Sequence, residues 1–112
     1  MTIHIKATGF DLTPALHKEV EDIMSGLAKF VQRWDEEGSV LLRVEIAKTT
    51  KHHHKGNVFY AEANMDIPKK VLRVEETNTD MHTALNMLKD RLKNEIVRYK
   101  EKMTNHKNPS QQ

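Results

Sequence analysis

Apolar and polar residues alternate at the start of the chain, where Ile3, Ile5 and Ala7 interleave with His4, Lys6 and Thr8. A period of two is that of a half-buried strand. Gly9 marks a turn, and Thr13-Pro14 is a helix start, a capping hydroxyl followed by proline at the first helical position. Leu16, Val20, Ile23, Met24, Leu27 and Val31 then recur at helical spacing, and Trp34 to Gly38 closes that helix. Glycine in Ser25-Gly26 costs about 1 kcal/mol relative to alanine, so a kink is expected there. Period two returns with Val40, Leu42, Val44 and Ile46, and again with Phe59, Ala61, Ala63, Met65 and Ile67. Between these two strands KTTKHHHKGN, residues 48–57, holds no apolar residue and reads as a hairpin loop. Pro68-Lys69-Lys70 turns the chain into a fourth strand, Val71 to Thr77, with Leu72 and Val74 inward.

The last third is one long helix capped by Thr79 or Asp80. Met81, Leu85, Leu88, Leu92, Ile96, Tyr99 and Met103 share one face. From Thr104 onward the chain is polar, so residues 1–103 are expected to form one domain and 104–112 a disordered tail. The order β-α-β-β-β-α predicts an α+β fold in two layers, a four-stranded sheet with two helices packed on one face. The first helix is then a right-handed crossover between parallel strands, followed by an antiparallel meander. The open sheet face would carry His4, Lys6, Arg43, Glu45, Tyr60, Glu62, Asn64 and Arg73. One aromatic among mixed charges is a poor base-stacking platform, which excludes an RNA-recognition-motif reading.

Charge changes the picture most on the last helix. Lys89, Lys93 and Lys100 border one edge of its apolar stripe, and Arg91, Arg98 and Lys102 the other, with only Glu95 diluting the rows. Net charge is +2, but residues 1–37 carry four Lys/Arg against seven Asp/Glu, whereas residues 79–112 carry seven against four. Two ordered basic rows suit a polyanion, RNA first. Lysine and arginine also flank apolar stripes simply to cover core edges with their stems, and spacing alone leaves both readings open.

Other chemistry finds little support. The chain has no cysteine, so disulfides, thiol nucleophiles and cysteine-bound zinc are excluded. No serine lies in a glycine-framed nucleophile elbow and no phosphate-cradling loop is present, so the chain does not read as an enzyme or as the host of a small-molecule substrate. His52, His53 and His54 are adjacent, point to alternate sides and do not converge on one ion; they read as a cationic loop rather than a metal site. Lys51 and Lys55, beside them, are candidate phosphate contacts. No apolar run reaches 18 residues and MTIHIKATGF lacks a signal-peptide core, so a cytoplasmic protein without membrane contact is expected.

LRVEIAKTTKHHHKGNVFYAEANMDIP, then DMHTAL and DRL, the ending RYKEK, and the opening IHIKATGFDLTPAL together resemble the ribosome hibernation promoting factor family, which includes protein Y and the sigma-54 modulation proteins. The resemblance runs from Met1 to about Met103. It implies a topology similar to double-stranded-RNA-binding domains, no cofactor, and binding of the small ribosomal subunit and its rRNA. It also implies occupation of the decoding region, where mRNA and tRNA sit, and inhibition of translation in stationary phase or stress. The family's basic positions match Arg91, Arg98, Lys100 and Lys102, and its helix-start pattern matches Asp80, Met81, Ala84 and Asp90. Departures are His82 for tyrosine, Asn86 for aspartate, Asn94 for arginine, and Ile23 and Gly26 for lysines. A short form lacking the family's dimerisation domain, monomeric when free, is expected. The candidate rRNA contacts are Lys89, Arg91, Lys93, Arg98, Lys100 and Lys102, with Lys51 and Lys55 auxiliary. A protein-binding regulator of sigma-factor type and a general RNA-binding module are the alternatives.

Overall fold

A computed structural model describes residues 1–36, 40–50 and 56–107. Strand β1 (Thr2–Thr8) leads to helix α1 (Pro14–Ser25), a 3-10 turn (Ala28–Phe30) and a one-turn helix α2 (Gln32–Asp35). Strands β2 (Leu41–Thr50), β3 (Asn57–Ile67) and β4 (Lys70–Asn78) follow, then helix α3 (Met81–Lys107). The sheet order is β1-β2-β3-β4, with β1 parallel to β2 and the rest antiparallel. This is the two-layer α+β arrangement that the alternation predicts.

Register explains the layers. Ile3 pairs with Leu42, Leu42 with Met65 and Met65 with Leu72, so one row of apolar side chains crosses all four strands. Ile5, Val44, Ala63 and Val74 form the next row. Against them pack Val20, Met24 and Leu27 from the first crossover and Ala84, Leu85, Leu88, Leu92 and Ile96 from α3, all with no solvent exposure. No polar or charged residue is buried among the described residues, so this core rests on apolar burial at roughly 25 cal/mol per Å².

Local chemistry sets the element ends. The Thr13 hydroxyl accepts from the Leu16 amide at 3.1 Å, and Pro14 opens α1. Asp80 caps α3, its carboxylate accepting from the Thr83 amide (2.9 Å) and hydroxyl (2.6 Å). Those bonds hold the Asp80 carboxyl below its usual range. Gly9 has φ +85°, and a Cβ there would meet the Lys48 carbonyl oxygen at 3.0 Å, so the chain needs glycine to leave β1.

Four expectations are corrected. The first helix does not merely kink at Ser25-Gly26; it ends there and continues as the 3-10 turn and α2. Glycine weakens the α-helix at that point, while Leu27, Val31 and Trp34 still reach the core from the tighter turns. The hairpin strands run further than expected, pairing Lys48 with Phe59 and Thr49 with Val58. Helix α3 continues through residues 104–107, inside the segment expected to be a tail, because the first helix-breaking residue is Pro109. Met103, expected in the apolar stripe, is 37% exposed, since among the described residues the contact of α3 with the core ends at Ile96 and the partly buried Tyr99. Residues 108–112 of the expected tail, and Lys51, His52, His53, His54 and Lys55, lie outside the described residues.

Candidate nucleic-acid interface

The segment from Gly26 to Trp34 runs alongside α3 and meets it at three points. Lys89 lies over Gly26, where a Cβ would stand 2.6 Å from the ammonium nitrogen. Lys93 places its ammonium 5.5 Å from the Phe30 ring centre, and Lys29 approaches the same ring at 5.3 Å. Lys100 sits 5.6 Å over the indole of Trp34, which also packs against Tyr99 at 5.9 Å. Positions four apart on one segment thus face the lysines of one edge of α3. Each ring attracts its cation through the π face and holds the flexible stem in place.

Lys29 and Arg33 were not among the residues expected at the site. They extend the Lys89, Lys93 and Lys100 row onto the neighbouring segment of the same helical layer, giving five cations on one side of the molecule. Among the described residues none of the five is ion-paired with a carboxylate. Asp35, the nearest acid after Arg33 in sequence that is tied down, bonds the terminal ammonium of Met1. Burial against Trp34 lowers the Lys100 ammonium from its usual value, and the charge of Arg33 adds to the shift.

The other edge of α3 differs. Arg91 donates to the Glu76 carboxylate at 2.8 Å and to the Glu75 carbonyl oxygen at 3.5 Å. Arg91 is therefore tied to strand β4, and Glu95 is not the only acid that dilutes the rows. Arg98 lies 4.0 Å from Glu95, and Lys102 is exposed. The structure thus splits the six expected helix positions into a free row, Lys89, Lys93 and Lys100, and a row that begins with a neutralised arginine.

On the open sheet face cations and acids pair with one another. Arg43 donates to Asp66 (2.6 Å), and Arg73 donates to Glu62 (2.8 Å) and Glu75 (3.3 Å). The Tyr60 hydroxyl lies 2.7 Å from Glu75 and 2.8 Å from Glu62, and Asn64 donates to Glu62 at 2.8 Å. The bond to Glu75, then burial and Glu62, push the Tyr60 phenol far above its ordinary range. Hydrogen bonds from Tyr60, Arg73 and Asn64 hold the Glu62 carboxyl below its own. A shallow groove of about 300 Å³ beside this network is lined by His4, Lys6, Arg43, Glu45, Glu62 and Asn64. Among the described residues no three His, Asp or Glu side chains converge as metal ligands, and no helix is long and apolar enough to cross a membrane.

The family model described as Sigma 54 modulation protein / S30EA ribosomal protein matches residues 3–104. The chain belongs to this family, the ribosome hibernation promoting factors. Its members are ribosome-associated, non-enzymatic factors. No curated protein sequence matches the chain. The fold is similar to the Protein Y N-terminal domain of Thermus thermophilus, with a TM-score of 0.71 and 24% identity over 88% of this chain and 99% of that one. It is also similar to a ribosomal subunit interface protein from Coxiella burnetii, with a TM-score of 0.61 and 20% identity over 90% of this chain and 99% of that one. Both likenesses speak to the fold of this hibernation factor.

Proposed function

We propose that this hibernation factor binds the small ribosomal subunit at the decoding region, occludes the mRNA and tRNA sites, and inhibits translation in stationary phase or stress. The observation that carries this reading is the five-cation surface of Lys29, Arg33, Lys89, Lys93 and Lys100, free of paired carboxylates among the described residues, on a fold whose opposite face neutralises itself. Unpaired cations held at fixed positions suit the phosphates of structured RNA, which position a protein without reading sequence. Arg98 and Lys102 extend the contact along α3, Arg91 contributes less, and Lys51 and Lys55 are auxiliary contacts from the hairpin. The action is steric and needs no cofactor or small-molecule substrate, and the free protein is a cytoplasmic monomer.

The test is co-sedimentation with purified small subunits across a salt series. Neutralising about five phosphates gives a slope of log K against log salt of about −3.5 to −4.5. An affinity indifferent to salt would point to an apolar protein interface and overturn the RNA reading.

A further inference from the structure

The 3-10 turn Ala28–Phe30 carries one aromatic ring that two ammonium groups share. The Phe30 amide donates to the Leu27 carbonyl at 3.0 Å and the Val31 amide to the Ala28 carbonyl at 3.1 Å, which fixes the backbone under the ring. Leu27 and Val31 are wholly buried, whereas Phe30 is half-buried and packs against the core from its margin. Lys29 approaches the ring centre from the turn itself at 5.3 Å and Lys93 from α3 at 5.5 Å. Their nitrogens therefore stand no further apart than those two distances laid end to end. Both lysines are otherwise exposed. Stems that merely cover a core edge send their heads out to water; here both heads stay within reach of one ring, although like charges repel.

We propose that Phe30 is a positioning residue, holding the Lys29 and Lys93 ammoniums as a fixed pair for neighbouring phosphates of one RNA strand. The ring engages each cation through its π face, and an ammonium has three donors, so donors remain for phosphate oxygens. A free lysine side chain loses rotamer freedom when it meets a phosphate. A ring that has already ordered the side chain removes part of that loss. The pair bridges the crossover segment and α3, so one strand of RNA touches two elements at once. This assignment rests on the RNA reading above, and it adds an uncharged residue that no pattern of cations contains.

Phe30→Leu keeps apolar bulk in the turn and removes the π face. Small-subunit binding of the full-length variant should weaken about five- to twentyfold, from two contacts at roughly two- to fivefold each. Its salt slope should stay that of the parent protein, because both cations remain. Phe30→Tyr should restore binding. In Lys29→Gln with Lys93→Gln, whose slope should be shallower by about 1.4 to 1.8, adding Phe30→Leu should cost nothing further. A side chain that only supported the fold would cost the same in both backgrounds. Phe30→Met, also apolar and without a ring, repeats the cycle where leucine lowers the thermal midpoint. Proton NMR reads the pair without the ribosome: the ε-methylenes of Lys29 and Lys93 should be ring-shifted upfield in the parent protein and in Phe30→Tyr, but not in Phe30→Leu. Unchanged or tighter binding of Phe30→Leu, or an equal loss in the double-lysine background, overturns the positioning role while the RNA reading stands. Ring-shifted methylenes in a parent protein that does not sediment with small subunits overturn the RNA reading, and the phosphate role of the pair with it.

Discussion

Lys89 lies across the backbone of Gly26, with its ammonium and last methylene inside the space that any larger residue's Cβ would occupy, 2.6 Å and 2.9 Å from that point. Gly26 itself has φ −63°, a helical value open to every L-residue. The glycine is thus a steric notch and not a backbone necessity. Gly26→Ala should raise stability by about 0.4–1 kcal/mol through the unfolded chain, because the displaced group is the flexible end of a lysine. Urea unfolding of the variant checks this; a loss of stability would mean that Lys89 is locked in its notch.

Lys93 and Arg91 should separate sharply in binding. Lys93 faces Phe30 without an acidic partner among the described residues, while Arg91 is held by Glu76. Lys93→Gln should weaken small-subunit binding and flatten its salt dependence by about 0.7 to 0.9, whereas Arg91→Gln should change it less. Glu76→Gln releases Arg91 and should tighten binding. Equal effects at positions 91 and 93 in a filter-binding series would show that the Glu76 pair opens on contact with RNA.

Lys69 is the one non-glycine residue with positive φ among the described residues, at +65°, in the two-residue turn that joins β3 to β4. Pro68 before it makes this the type II arrangement, which favours glycine at the second central position. Left-handed backbone costs an ordinary residue roughly 1–2 kcal/mol. Lys69→Gly should therefore stabilise the fold by about 0.5–1 kcal/mol after the extra freedom of unfolded glycine is counted. A rise in thermal midpoint is the readout, with subunit binding unchanged.

The network on the open sheet face sets a pH window. Glu62 has its carboxyl lowered by Tyr60, Arg73 and Asn64, so its contribution is present above the usual carboxylate value of about 4.5 and is lost as pH falls through the lower folded value. Tyr60 has its phenol raised, so its contribution is complete below the usual value of about 10 and is lost as pH climbs toward the folded one. Glu62→Gln should flatten the acid limb of stability against pH, and Tyr60→Phe the alkaline limb. Melting curves from pH 3 to pH 11 would show an unaltered alkaline limb in Tyr60→Phe if the phenol were not shared.

Most of the fold is legible in the alternation because both sides of each strand meet different media. Leu42, Val44 and Ile46 must face the helices and Arg43 and Glu45 must face water, so pattern and register carry the same information. The break after Ser25 is less visible, since Phe30 and Trp34 keep positions four apart from Gly26 although the backbone between them leaves α geometry. Period reports which side chains face inward, not which helix holds them. The site was legible along α3, where six of its seven cations border one apolar stripe, and not between α3 and the Gly26–Trp34 segment packed beside it. Lys29 lies 64 residues from Lys93, with which it shares the Phe30 ring, and only the crossover brings the two together. Glu76 did leave a trace, because it shares the parity of Leu72 and Val74 and so had to point toward α3 rather than away from it.

Opposite faces of the molecule differ in how their charges are spent, and that difference bears on encounter as much as on the final contact. Acids on the open sheet face quench Arg43 and Arg73 locally, so little field from those groups reaches beyond about 8–10 Å in ordinary salt. The Lys29–Lys100 side has no such quenching among the described residues, and its field adds up. In front of a polyanion the molecule experiences a torque before it experiences a bond. It turns its helices forward while still in solution, which narrows the orientational search that otherwise slows protein association to 10⁵–10⁷ M⁻¹s⁻¹, roughly, by specific docking. The pairing of arginine with acid on the far face thus acts as a rudder, and removing it would let the protein arrive backwards.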